Sequence, residues 1–403
     1  MRIQNQGCIS YAFHSFFVTS RVALYREWVE WLESALSTPR RTVMKAAVLY
    51  KAQTPLVMEE LDIPEPGPSQ VMVKMMASGV CHSDWHVVKG EWTHLPLPII
   101  LGHEGAAIVE AVGPGVTNVV PGDHVILSWR SQCGYCEMCQ VGWPALCTNI
   151  QYPKERPTLR GSGTQINQMV GIGSFGSYQI AHESAAVPID KDIPFPQAAL
   201  VGCGVTTGVG AAINTAKVQP GTTAAIFGAG GVGLNVIQGC AIAGATTIIA
   251  VDLLDFKLDL AKEFGATHTV NASQDDPVAK IKELTGGHGA HYAFEAIGLV
   301  EQPFIQSIQC TRPRGISVWV GHAPHGTPVT IDARDLMLEK TIIGSMYGSS
   351  QPMVTFPRLL DLYKSGKLKL DELISRTYPV EQINEAFDAL GNGEVARSTL
   401  SFE

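Results

Sequence analysis

From residue 45 to about 200 the chain is written in short β-rich runs broken by Gly and Pro. Val71-Met72-Val73-Lys74-Met75 is one such run, and Ala106-Ala107-Ile108-Val109-Glu110-Ala111-Val112 is another, closed by Gly113-Pro114-Gly115. Runs of this length between turn residues predict a mostly antiparallel β domain. After Pro220-Gly221 the pattern changes. Residues 223–227 form a short apolar strand, a glycine turn follows, 232–244 reads as a helix, and 247–252 is a second strand. That alternation predicts βαβ units feeding a doubly wound parallel sheet. It continues through 291–295 and 316–320, and the tail from about 346 carries helical stretches before a strand-like end at 397–400. The fold class is α/β, with no short-period repeat or low-complexity tract.

Residues 1–43 stand apart. Val22, Tyr25, Val29, Leu32 and Leu36 make an apolar stripe at helical spacing that ends at Thr38-Pro39,. Arg21, Arg26, Glu27, Glu30 and Glu33 interrupt any targeting core,. Met44-Lys45-Ala46-Ala47-Val48 begins afresh, so the segment is expected to be an extension outside the fold or, alternatively, a helix added to its surface. Composition agrees with two soluble domains: 403 residues, 45% hydrophobic, 16% charged, with 40 Gly and 24 Pro,. The net charge of −8 has no basic block, which argues against nucleic acid or an anionic membrane as partner,. No run of about twenty apolar residues stands out, so no membrane span is expected.

The nine cysteines change the picture most. Their odd number and close spacing fit metal binding in a reducing, cytoplasmic compartment better than a disulfide framework. Cys133-x2-Cys136-x2-Cys139-x7-Cys147 has the spacing of a closed, structural four-thiolate zinc loop,. Cys81, just after Gly79-Val80, and His103 and Cys203, each next to a glycine, offer two thiolates and an imidazole, enough for a zinc with one position open,. Asp84 is suited to orient the imidazole, or is a turn carboxylate. Glu104 is a modulator of the metal, an occasional ligand or a buried ion-pair partner. Cys240 and Cys310 read as core filler, and Cys8 lies in the extension.

Gly228-Ala229-Gly230-Gly231-Val232-Gly233 matches GxGxxG between a predicted strand and a predicted helix. The first Gly permits the turn, the second lets a pyrophosphate approach, and the third packs helix on strand. The helix N-terminus then presents free N–H groups to phosphate. Asp252, nineteen residues after Gly233, is placed to accept from both ribose hydroxyls and to repel a 2′-phosphate, which favours NAD over NADP,.

With these motifs together, the chain from 44 to 403 resembles the zinc-dependent alcohol dehydrogenases of the medium-chain dehydrogenase/reductase family. The resemblance implies a GroES-like catalytic domain from 44–204 and 347–403, with a Rossmann NAD-binding domain at 205–346. It implies one catalytic zinc on Cys81, His103 and Cys203, one structural zinc on the four-cysteine loop, and NAD as cofactor. It implies a proton relay in which Ser83 acts first, the NAD ribose next, and His86 hands the proton to solvent. A helix N-cap for Ser83 and an ordinary surface imidazole for His86 are the plainer readings. His82 and Arg397 match pyrophosphate contacts, Lys257 matches one near the adenosine ribose or is a solvated helix charge, and Thr207 and Val320 match positions near the nicotinamide. Trp92 and Trp129 match walls of the substrate pocket or pack as core, and Trp92 with His94 replaces the acidic residues of the thiol-adduct formaldehyde dehydrogenases. The implied activity is reversible oxidation of primary aliphatic or aromatic alcohols, in a homodimer or homotetramer. Alternatives are a thiol-adduct formaldehyde dehydrogenase, an enzyme with tightly bound NAD and an external acceptor, or a non-catalytic NAD-binding protein.

Overall fold

The computed structural model describes residues 42–324 and 326–402. The expected extension, with Cys8, lies outside these residues except for its last two positions. Thr42 and Val43 already belong to the first strand, Thr42–Leu49, so that strand begins two residues earlier than expected.

Two sheets carry the β-rich part. One has five strands, in the spatial order Thr158–Leu159, Val57–Ile63, Thr42–Leu49, Ile99–Ile100, Asn167–Gln168. The other is built on the long strand Gln70–Val80, which pairs antiparallel with Gly105–Val112 along one side. Its other side is shared, with Tyr178–His182 against the first half and the C-terminal strand Arg397–Ser401 against the second. The tail of the chain therefore closes the sheet that its beginning opened. Pairing is mostly antiparallel, with parallel exceptions at Ile374–Pro379 beside Arg397–Ser401 and at Ile99–Ile100 beside Asn167–Gln168.

Residues 223–344 form a six-stranded sheet, parallel throughout, in the order His268–Asn271, Thr247–Asp252, Thr223–Phe227, Ala290–Glu295, Thr311–Trp319, Thr341–Gly344. Numbered along the chain this is 3-2-1-4-5-6, the doubly wound order. The reason is visible in strand composition. Ala224 and Ile226 bury into one apolar cluster while Ala225 and Phe227 bury into another on the opposite face. A strand covered on both sides needs a continuous apolar run, which is what 224–227 and 248–251 supply,.

The helix Phe195–Thr215 links the two parts, since one buried cluster runs from Ala77, Ala106 and Ile126 through Leu200, Val205 and Val209 to Ile226, Ile248 and Phe294. It is 21 residues long and apolar enough to span a bilayer by length and composition, contrary to the expectation that no such run stands out. In the fold 72% of its apolar window is buried, so its hydrophobicity is that of a core helix.

Candidate active site

The helix that carries Cys203 is not uniform. It widens into π turns at Val201–Val205 and Ala211–Thr215, with regular α turns on either side. Such widened turns are uncommon and concentrate at functional sites. Cys203 lies within the first. Its turn is pinned from two directions: the Tyr347 hydroxyl donates to the Gly202 carbonyl, and the Gly204 N–H donates to Glu104 Oε1 at 3.1 Å.

Cys81 and His103 arrive from the β-rich part. Cys81, extended at φ −117°, ψ 151°, caps the helix His82–Lys89 and shares a capping box with Asp84. The cap is therefore Cys81, and Ser83 is the second helical residue, contrary to the N-cap reading of Ser83. Asp84 is fully buried and holds both ligand segments. Its Oδ2 accepts from the Cys81 N–H at 3.3 Å, while its Oδ1 accepts from the Gly102 N–H at 2.9 Å and contacts His103 Nδ1 at 3.2 Å. With Nδ1 occupied, Nε2 is the imidazole atom left for a metal.

These pieces converge. One ligand atom each from Cys81, His103, Glu104 and Cys203 lies within 4.8 Å of the others. Burial opposes protonation of His103, but the Asp84 carboxylate and the Cys81 thiolate outweigh it and hold its pKa well above the usual imidazole value. A hydrogen bond from the Cys203 thiol holds Cys81 well below the usual thiol range. Burial raises Glu104 to about 7 even though the Arg397 guanidinium, paired with its Oε2, opposes the rise. Anionic donors crowded together in a buried pocket call for a cation.

The second cluster consists of cysteines alone among the described residues. Cys133, Cys136, Cys139 and Cys147 also lie within 4.8 Å of one another, with sulfurs 3.7 Å apart for Cys133 and Cys147 and 3.9 Å for Cys136 and Cys147. Disulfides are excluded, since an S–S bond is about 2.0 Å. A tetrahedral zinc with bonds of about 2.3 Å separates its sulfurs by about 3.8 Å, so both separations fit. Backbone N–H groups of Thr148 and Cys139 push the Cys136 thiol down to about 5. Cys240 and Cys310 lie in apolar clusters outside both groups.

A cleft of about 2080 Å³ runs from the first cluster to the glycine turn. A site for one drug-sized ligand occupies about 300–1,000 Å³, so this cleft has room for a dinucleotide and a small second molecule. Cys81, His82, Ser83, His86, Trp92, His103, Trp129, Cys203, Thr207, Gly228, Gly230, Gly231, Val232, Asp252, Lys257, Val320 and Arg397 all line it. Asp84, Glu104 and Gly233 stand behind that wall.

The glycine turn fits a dinucleotide. Gly228 is left-handed at φ 93°, and a Cβ on Gly233 would lie 1.8 Å from the Gly228 carbonyl oxygen. A Cβ on Gly230 would meet no protein atom within 4 Å, so the backbone there borders open cleft. Asp252 ends its strand with Oδ2 accepting from the Ala229 N–H at 2.8 Å. Arg397 is buried against Gly231, and its Nε is a buried donor with no hydrogen-bond partner among the described residues.

Several cleft residues escaped the sequence reading. Tyr347 packs against Trp129 with ring centroids 4.4 Å apart, and His322 packs against Trp92 at 4.5 Å. Neither lies in a motif. Their roles come from loops that the sheet topology folds back, and no local pattern marks them. His86 also differs from a surface imidazole: it is buried, stacked under Trp92 at 5.5 Å and bonded to Glu91.

Family comparison agrees with this geometry. The model for the alcohol dehydrogenase GroES-like domain matches residues 67–191, and that for the zinc-binding dehydrogenase matches 231–365. Among solved structures, an alcohol dehydrogenase zinc-binding domain protein from Burkholderia ambifaria is 37% identical, covering 90% of this chain and 99% of its own, with TM-score 0.85. Benzyl alcohol dehydrogenase from Acinetobacter calcoaceticus is 35% identical over 90% of this chain and 100% of its own, with TM-score 0.84. A protein described as a zinc-binding dehydrogenase from Sinorhizobium meliloti 1021, bound to NADP, is 30% identical with TM-score 0.75, covering 90% and 100%. Two converging ligand sets, a doubly wound sheet and these relatives place the chain in the zinc-dependent alcohol dehydrogenases of the medium-chain dehydrogenase/reductase family.

Proposed function

We propose that this protein oxidises primary aliphatic or aromatic alcohols to aldehydes, reversibly, with NAD, and works as a homo-oligomer carrying one catalytic and one structural zinc per chain. The observation that carries the reading is that the Cys81, His103 and Cys203 cluster and the glycine turn open into one cleft. Cys81, His103 and Cys203 would hold the catalytic ion, and Cys133, Cys136, Cys139 and Cys147 the structural one. When bound, zinc supplies Lewis acidity at the alcohol oxygen and NAD accepts the hydride.

The chain's own residues do the rest. Asp84 fixes the imidazole of His103 and the approach of Cys81 through its three contacts. Glu104 joins the Cys203 turn to Arg397, so the metal pocket and the phosphate end of the cleft share one buried ion pair. Ser83, beside Cys81 on the cleft wall, is placed to take the hydroxyl proton,. Trp92 with His322, and Trp129 with Tyr347, give the substrate end aromatic walls. Flat walls suit a flat substrate, and the similarity to a benzyl alcohol dehydrogenase supports the same class,.

The test is zinc content together with NADH production on full-length protein, using short primary alcohols, benzyl alcohol, and formaldehyde with and without a small thiol. Two zinc ions per chain and NADH from the alcohols are expected, and Cys203→Ala should lose turnover while staying folded and binding NAD. One zinc and no NADH from any substrate would sink the reading in favour of a non-catalytic NAD-binding protein. Activity confined to formaldehyde plus thiol would move it to the thiol-adduct branch.

A further inference from the structure

The helix His82–Lys89 ends on Gly90, left-handed at φ 76°. The turn folds back on the helix, with the N–H groups of Gly90 and Glu91 donating to the His86 carbonyl and that of Trp92 closing on it at 3.3 Å. This reversal returns the Glu91 carboxylate to the ring of the residue five positions earlier. Glu91 Oε2 lies 2.5 Å from His86 Nδ1. The His86 side chain is 9% exposed and that of Glu91 38%, so the carboxylate bridges a sealed imidazole and open water. Trp92 covers the ring on its stacked face.

We propose that Glu91 is the outlet of the proton relay, taking the proton from His86 and releasing it to water. The proposal rests on the dehydrogenase reading above, in which alcohol oxidation frees one proton inside the cleft. His86 lines that cleft, and its Nδ1 is committed to Glu91, which leaves Nε2 to receive. As Nε2 gains a proton, the Nδ1–H bond breaks and an Oε2–H bond forms on Glu91. The carboxylic acid then loses its proton to water or buffer, and no electron moves. Among the described residues, the other titratable groups recorded around His86 are His82 on the same helix, with ring centroids 6.5 Å apart, and the imidazoles of His322 and His94 on the Trp92 side. None of these is a carboxylate, so Glu91 is the acceptor among the described groups facing this ring. Lys89, on the same helix, points its ammonium to Trp85 instead.

Glu91→Gln separates chemistry from shape, because the amide oxygen still accepts from Nδ1–H but does not take up the proton. Zinc-loaded, full-length protein would be followed with NAD and benzyl alcohol in weakly buffered dye solution, reading NADH and proton release together. Glu91→Gln should slow proton release and kcat on the order of 10- to 100-fold, with KM for the alcohol unchanged. Added imidazole should restore the variant and leave the wild type unaffected, and Glu91→Asp should fall between them. A second readout needs no turnover: in NAD-free protein the His86 Nδ1–H proton should give a downfield NMR signal, absent in His86→Gln and shifted upfield in Glu91→Gln. Unchanged proton release in Glu91→Gln, or a loss that imidazole does not restore, would overturn the proposal and leave the dehydrogenase reading standing. A wild type that makes no NADH would take down that reading and this proposal with it.

Discussion

Asp252 shows how much one residue decides. Its Oδ1 accepts from the N–H groups of Leu253 and Leu254 at 2.8 and 3.2 Å, and its Oδ2 from that of Ala229, so the carboxylate is held rigid at the strand end. Oδ1 has both lone pairs engaged by these N–H groups, whereas Oδ2 keeps one for a ribose hydroxyl, and the fixed negative charge repels a 2′-phosphate. Hydrogen bonds to a charged group contribute about 1.5–3 kcal/mol, so Asp252→Ser should cost NAD on the order of 10- to 100-fold in kcat/KM. NADP should lose far less, or gain. Because the variant also loosens the glycine turn for both cofactors, the ratio of the two kcat/KM values is the measurement, and an unchanged ratio would remove Asp252 from its proposed role. The relative solved with NADP makes this the residue on which the NAD reading stands or falls.

At the scale of elements, the strand–turn–helix at 223–242 divides its glycines by task. Gly233 touches the Gly228 carbonyl, so its Cβ would have to push strand and helix apart, whereas Gly230 at φ −81°, ψ −172° is ordinary extended backbone beside open cleft. Gly233→Ala should destabilise the protein by about 1–3 kcal/mol, the usual cost of overpacking, seen as a lower Tm without ligand. Gly230→Ala should keep its Tm and weaken NAD binding in calorimetry. Equal Tm losses in both variants would mean that Gly230 serves the fold alone. This turn was legible in the sequence because its physics is local: tight curvature, close approach and a helix end need glycine at fixed offsets. The parallel strands were legible for a similar reason, since burial on both faces forces unbroken apolar runs such as 248–251. The alternative of Ser83 as helix cap does not hold, because Cys81 takes the cap while Ser83, the better capping type, sits inside the helix. Tyr347 and His322 reach the cleft only through tertiary return of their chain segments, and Glu91 meets His86 through the reversal at Gly90, whose geometry the residue types alone do not show. The π turn around Cys203 left no pattern either, for its residues read as a plain apolar helix.

At the scale of the whole molecule, one sheet leaves an edge open among the described residues. The six-stranded sheet stops at Thr341–Gly344, whose outer backbone groups pair with no strand among the described residues. Ile343 is 40% exposed there, and the approach to the strand exposes Leu336, Met337 and Leu338, with Met337 at 82%. A bare edge beside apolar side chains templates association and is normally covered. In a two-fold dimer the same strand must meet itself, which forces the new pairing to be antiparallel and joins two six-stranded sheets into one. The proposed homo-oligomer would thus bury Met337 and its apolar neighbours and satisfy the edge in one contact. Sedimentation of the wild type should give a multiple of 43.3 kDa. Met337→Glu combined with Leu338→Glu places two carboxylates in that contact and should shift the protein to monomer, with zinc content retained because neither residue belongs to a metal cluster. A wild type that sediments at 43.3 kDa, or a double variant that remains assembled, would show that the edge is left open or that the subunits meet elsewhere.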